Sequence, residues 1–321
     1  LSMRTQWQDG GDKKKVTSPV SLIVSAFASL ADVRGTLTPQ LNATEDDTTL
    51  VLVDLGKGQS RMGGSILGQT LDQSGDVVPD VDDPQDLVNL VNAVNALRAK
   101  GQILAYHDRS DGGLLAAVAE MAFAGHVGVA LNVDMLVTEG DGISDSRMET
   151  GDAKNWAQQV SARREELTLK ALFNEELGVV LQVRTAERNE VMQTLREHGL
   201  SKFSHFIGKT RPASSSINAG KGELQVWRDA KAVFSAPLAD LHQVWDAVSW
   251  KICQQRDNPA NADAEHATAG EPTDPGMQVH LTFDASDDVA APFLNLSRPK
   301  VAILREQGVN SHVEMAYAFT E

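Results

Sequence analysis

The densest group of chemically able residues in this chain is His107-Asp108-Arg109-Ser110-Asp111-Gly112-Gly113. It lies between Gln102-Ile-Leu-Ala-Tyr-His, an apolar run of strand length, and a helical spacing of apolar residues over 114–124. Carboxylates at such a junction can hold Mg2+, a hard cation that takes oxygen ligands and shares them with phosphates. The glycines let a ligand approach the backbone. The N-terminus of the following helix offers open N–H groups and a positive dipole end, which suit a phosphate. The ordinary alternative is a glycine turn in which Ser110 or Asp111 caps the helix.

Two further groups have the same ambiguity. Gly56-Lys57-Gly58-Gln-Ser-Arg61-Met-Gly63-Gly64-Ser65 follows the strand-like Thr49-Leu-Val-Leu-Val-Asp-Leu and opens a helix. It departs from a Walker A loop, because Gly64 stands where the lysine belongs. A turn feeding a helix is the simpler reading, with Lys57 or Arg61 as candidate phosphate contacts. Phe173-Asn174-Glu175-Glu176-Leu177-Gly178 sets two acids before a strand, as a metal or acid–base pair or as a solvated turn. The eight histidines show no metal-site spacing, and His107 alone falls inside a candidate site.

The elements that must position these groups alternate. Asp83-Pro84 reads as an N-cap followed by proline in the first helical turn. Leu87, Leu90, Val91, Val94 and Leu97 then share one helix face, and Gly101 ends it. Gly178-Val-Val-Leu-Gln-Val is a strand and 186–198 a helix, while 138–155 is a Gly/Asp-rich surface loop. Strands alternating with helices predict an α/β fold, a mixed sandwich. Pro19-Val-Ser-Leu-Ile-Val-Ser-Ala-Phe-Ala, behind Lys13, Lys14 and Lys15, reads as a strand-rich core segment and not as a leader, since it follows Asp9 and Asp12.

Apolar residues at 238, 241, 244, 245, 248 and 252 predict a further helix. Between Asp257 and Ser297 there are eight acidic residues and no Lys or Arg, which predicts a solvated and mostly irregular connector. Lys300-Val-Ala-Ile-Leu-Arg-Glu then reads as a buried strand, and His312 onward as a helix with Asn310 or Ser311 as its cap. One strand and one helix do not make a sheet, so more chain is expected beyond Glu321.

Composition narrows the partners. With 29 Lys and Arg against 44 Asp and Glu, the formal net charge is −15, which argues against nucleic acid as a partner. No apolar run reaches the length of a membrane helix. Cys253 is the single cysteine, so no intrachain disulfide forms, in keeping with a reducing, cytoplasmic location.

Three stretches resemble a known family. They are Lys15-Val-Thr-Ser-Pro-Val-Ser-Leu-Ile-Val-Ser-Ala-Phe; then Tyr106-His-Asp-Arg-Ser-Asp-Gly-Gly with Ala119-Glu-Met-Ala-Phe-Ala-Gly and Leu172-Phe-Asn-Glu-Glu-Leu-Gly; then Arg256-Asp-Asn-Pro and Arg298-Pro-Lys-Val-Ala-Ile-Leu-Arg-Glu-Gln-Gly-Val-Asn-Ser. Together they resemble the large, single-chain phosphoribosylformylglycinamidine synthases. The resemblance implies a fold like the C-terminal domain of aminoimidazole ribonucleotide synthetase, followed by the start of a class I glutamine amidotransferase domain. It implies the end of an N-type lobe at 1–42, a C-type lobe at 43–236, a helix and acidic connector at 237–297, and the first glutaminase strand and helix at 298–321.

The implied reaction converts formylglycinamide ribonucleotide, with ATP, glutamine and water, to the amidine, ADP, phosphate and glutamate. ATP activates the carbonyl oxygen as an iminophosphate, and ammonia from glutamine displaces phosphate. Asp108 matches a family Mg2+ ligand and Ser110 a family ATP/ADP contact. No catalytic residue is carried over: the synthetase histidine is expected before Leu1 and the glutaminase cysteine after Glu321, so Cys253 is not that nucleophile and this chain alone is expected to be inactive. The alternative is a scaffold lobe that holds a structural nucleotide and docks the glutaminase. Selenophosphate synthetases and thiamine phosphate kinases share the implied superfold but have no glutaminase strand behind an acidic connector.

Overall fold

Seven strands make the sheet that carries the candidate residues. They are β3 (Thr48–Asp54), β4 (Ala105–Asp108), β5 (Gly128–Asn132), β6 (Gly178–Arg184), β7 (Ser204–Arg211), β8 (Glu223–Arg228) and β9 (Lys231–Pro237), in the order β4-β6-β3-β7-β5-β8-β9. Every neighbouring pair is antiparallel except β5 and β8, which run parallel. A separate hairpin pairs β1 (Arg4–Asp9) with β2 (Asp12–Thr17). The computed structural model describes residues 4–17, 22–30, 32–75, 77–137, 153–211, 222–274, 276–277 and 279–320.

The alternation of side chains along β3 explains the layers. Leu50 and Leu52 point to one face and Val51 and Val53 to the other, and all four are buried. The Val face packs against α2 (Pro84–Ala99) and α5 (Arg188–Glu197) through Leu90, Leu97, Val191 and Leu195. The Leu face packs against α3 (Gly113–Gly125) and α4 (Ala153–Phe173) through Leu114, Val118, Met121 and Leu172. A strand covered on both sides has no solvent face, which is why β3 reads as an unbroken apolar run. Each fully buried Leu or Val in these layers stabilises the fold by about 1.5–3 kcal/mol.

α2 starts as its sequence predicts: Asp83 accepts a hydrogen bond from Gln85 N, with Pro84 in the first turn. The same Asx–Pro device starts a helix that the acidic connector was not expected to contain. Asn258 accepts from Ala260 N and opens α7 (Pro259–Ala269), which lies against α6 (Leu238–Arg256). The His266 ring stacks on Trp250 at 4.1 Å between centroids, and its Nδ1 lies 2.7 Å from Asp246 Oδ2. The connector is therefore ordered at its beginning.

Residues 22–30 carry Leu22, Ile23, Val24 and Phe27 exposed and without regular secondary structure, so the expected core strand does not form there. Residues 18–21, most of the predicted 138–155 loop, and 212–221 lie outside the described residues; 153–155 begin α4. The chain divides into two units, 1–273 and 274–321. In the second, α8 (His312–Thr320) forms as predicted, but residues 300–306 form no strand and Val301 and Leu304 are exposed. An apolar run becomes a strand only with a partner, and the described residues of this unit contain none. No helix among the described residues is long and apolar enough to cross a membrane.

Candidate functional site

β4 delivers the candidate loop, and its alternation separates the loop's side chains. Tyr106 and Asp108 point to the α2 face, where the Tyr106 hydroxyl donates to Asp108 Oδ1 at 2.6 Å. His107 points to the other face and pairs with Glu120 of α3, Nε2 to Oε2 at 2.8 Å. His107 is thus turned away from the Asp108 site into which the sequence placed it. The Glu120 carboxylate raises the His107 pKa, and the imidazole in turn lowers that of Glu120. Glu120 also accepts from Trp245 Nε1 of α6 at 2.9 Å. Burial first, and then the bond to Asp108, push the Tyr106 phenol up.

Arg109 is the anchor of the loop, and sequence reasoning gave it no role. It is 4% exposed. Its guanidinium pairs with Asp54 at the end of β3. It also donates to the backbone oxygens of Glu176 at 2.6 Å and Leu177 at 3.1 Å. Asp54 in turn accepts from Gly56 N at 3.1 Å and Gly58 N at 2.8 Å. One buried ion pair thereby ties together the ends of β3, β4 and β6.

The glycine-rich 56–65 segment is spent on the same frame. Arg61 makes a two-pronged contact with Glu176, Nε to Oε1 at 2.7 Å and Nη2 to Oε2 at 2.8 Å, and reaches Asp82 at 3.0 Å. Lys57 pairs with Asp86 of α2 at 2.5 Å and lies over the Phe203 ring. Neither cation is left for a phosphate. The acid pair is spent as well. Glu176 is fully buried on Arg61, and Glu175 Oε1 accepts from Ile66 N, at the start of α1 (Ile66–Thr70), at 2.8 Å and from Gly112 N at 2.9 Å. These two acids clamp the loops to each other and do not form an acid–base pair.

This clamp also corrects the expectation for the start of α3. Gly112 is its N-cap in a left-handed conformation, with no side-chain cap from Ser110 or Asp111. The first open N–H there is met by the Glu175 carboxylate, so the helix end already faces a negative charge. Gly113 is required for packing: a Cβ would sit 2.7 Å from the carbonyl oxygens of Leu172 and Asn174, at φ +71°.

Three polar residues of the loop remain outward, Asp108, Ser110 and Asp111, and the first two of them line a groove. Asp108 and Ser110 are exposed, on either side of buried Arg109. Among the described residues, Asp108 Oδ2 and the Ser110 hydroxyl have no hydrogen-bond partner. Both line a groove of about 400 Å³ whose other wall is apolar, with Leu87, Val91 and Val94 of α2. The arrangement offers a ligand an apolar wall on α2 and polar contacts at Asp108 and Ser110. No group of three or more His, Cys, Asp or Glu residues among those described could hold a metal unaided. Mg2+ is commonly held by one or two carboxylates plus ligand phosphates, and a single open Asp108 oxygen fits that mode.

Comparison with known families bears on the fold. The model for "AIR synthase related protein, C-terminal domain" matches residues 47–217, more than half of the chain. The chain belongs to the AIR synthase related family. The matched residues include β3 to β7 and α2 to α5, with Asp108 and Ser110 among them. Residues 1–29 match the "FGAR-AT PurM_N-like domain" model, and both matches end before residue 218.

Among solved structures, the chain is similar to PurLQS from Thermotoga maritima, at 16% identity and a TM-score of 0.41, over 62% of this chain and 26% of that one. It is similar to T. maritima PurL complexed with FGAR, at 16% identity and TM-score 0.42, over 63% and 29%. It is also similar to the E. coli hydrogenase maturation protein HypE, at 19% identity and TM-score 0.33, over 58% and 49%. The chain thus spans about a quarter of the length of the first of these.

Proposed function

We propose that this AIR synthase related domain serves an ATP-dependent, glutamine-using ligase that converts formylglycinamide ribonucleotide to formylglycinamidine ribonucleotide. The observation that carries the reading is the pair Asp108 and Ser110, left outward on a groove while the nearby cations Lys57, Arg61 and Arg109 are paired inside the frame. The order of the two family matches, an FGAR-AT-type N-like segment followed by an AIR-synthase-type C domain, supports the choice of substrate class.

In this reading Asp108 would hold Mg2+ and the Ser110 hydroxyl would donate to a phosphate oxygen of ATP or ADP. The Mg2+, when bound, neutralises phosphate charge. Arg109 holds both side chains in place through Asp54 and does not itself touch the nucleotide. Residues 1–42 close an N-type lobe, 43–236 form the C-type lobe, 237–297 the connector, and 298–321 begin a glutaminase domain.

A scaffold reading has one observation in its favour. Arg109, Arg61, Lys57, Glu175 and Glu176 are all consumed by contacts within the protein, as in a lobe built for rigidity. Asp108→Asn in the full-length protein separates the two. Loss of ATP- and glutamine-dependent amidine formation at unchanged melting temperature supports the metal-ligand reading. A lowered melting temperature with specific activity retained would overturn it in favour of the scaffold.

A further inference from the structure

Tyr106 lies two residues before Asp108 on the same face of β4, so its phenol hangs directly over that carboxylate. The hydroxyl donates to Oδ1 at 2.6 Å, and the ring lines the groove and packs against the cluster that holds Leu90 and Val179. The ring cannot retreat from the carboxylate without vacating that packing. Its backbone is fixed as well, since Tyr106 N donates to Thr38 O at 2.9 Å. One of the two Asp108 oxygens therefore has a standing partner and the other has none among the described residues.

We infer that Tyr106 is a positioning residue that makes Asp108 a one-oxygen ligand and so biases the site toward Mg2+ over Ca2+. The inference rests on the reading that Asp108 binds a cation, and adds what the phenol does to it. Mg2+ takes six oxygens in near-ideal octahedral geometry and is served by one carboxylate oxygen with waters and phosphates. Ca2+ takes six to eight at longer distances and often chelates both oxygens of a carboxylate. With the phenol on Oδ1, two-oxygen chelation competes with a hydrogen bond, and one-oxygen binding through Oδ2 does not. The phenol also holds the carboxylate's orientation, which leaves Oδ2 without a protein partner before any ligand arrives.

The test is calorimetric titration of the whole chain with Mg–ADP and with Ca–ADP, for the wild type, Tyr106→Phe, Asp108→Glu and Asp108→Asn. Tyr106→Phe keeps the ring and removes the donor. The ratio of the Ca–ADP to the Mg–ADP dissociation constant is expected to fall about fivefold, the worth of one hydrogen bond. Asp108→Glu, whose carboxylate reaches past the phenol, is expected to relax the ratio in the same direction. Melting temperature separates this from a merely structural role, which would weaken both ions together. An unchanged ratio in both variants, with Asp108→Asn abolishing binding, would overturn the role of Tyr106 alone. Full Mg–ADP affinity in Asp108→Asn, or no binding by the folded wild type, would overturn the cation site on which the inference rests.

Discussion

Two loops of this domain have the same form, a strand end, a glycine-rich turn and a helix start, yet they have opposite fates. In the 54–65 loop every cation is paired with a carboxylate of the domain: Lys57 with Asp86, and Arg61 with Glu176 and Asp82. In the 106–113 loop the cation Arg109 is buried on Asp54, while Asp108 and Ser110 stay outward. The difference is one of supply. A charge already satisfied by a buried partner has nothing to offer a ligand, because breaking the pair costs its full desolvation. The first loop braces and the second presents.

The comparison breaks most sharply at Arg109. Arg109→Met leaves Asp54 buried without its partner and is expected to cost about 3–5 kcal/mol in urea unfolding, well above the change from any outward residue. A loss below about 1 kcal/mol would mean that the frame does not depend on this pair. Gly56→Ala probes the bracing loop more gently. The new methyl would meet the Glu176 side chain at 2.6 Å, where Arg61 leaves it no room, and an overpacking cost of about 1–3 kcal/mol is expected.

Smaller and pH-dependent is the effect of His107→Gln, on the reverse face of β4. The raised His107 pKa means a contribution complete below the ordinary imidazole value of 6.5 and lost as pH rises through the folded value. The lowered Glu120 pKa means one present above the ordinary 4.5 and lost as pH falls through its folded value. The gap in melting temperature between wild type and variant is therefore expected to be widest from pH 4.5 to 6.5 and to close above it. A gap that stays constant to high pH would show packing and not the ion pair. Smallest of all for stability are Asp108→Asn and Ser110→Ala, each expected within about 0.5 kcal/mol, since both side chains face out.

Local rules made much of this legible in the sequence. The Asp83-Pro84 start of α2 and the apolar runs of β3 and β6 each follow from neighbours within a few residues. The frame was not legible. Arg109 and Asp54 are 55 positions apart, and Arg61 and Glu176 are 115 apart, so no spacing rule could pair them. The Glu175-Glu176 doublet looked like chemistry because its two partners, the start of α3 and Arg61, come from distant parts of the chain. The Lys300 run failed as a strand for the opposite reason: its local pattern was right, but a strand is made by its partner. Asn258-Pro259 was a readable helix start, hidden by the acidic composition around it.

The most direct test of the bracing-and-presenting account is Mg–ADP binding to the folded chain, compared between Asp108→Asn and the bracing-loop variant Lys57→Met. The account predicts that Asp108→Asn abolishes binding at unchanged melting temperature, while Lys57→Met binds as the wild type does. Binding lost in Lys57→Met and kept in Asp108→Asn would contradict it, and would place the phosphate on the loop assigned here to bracing.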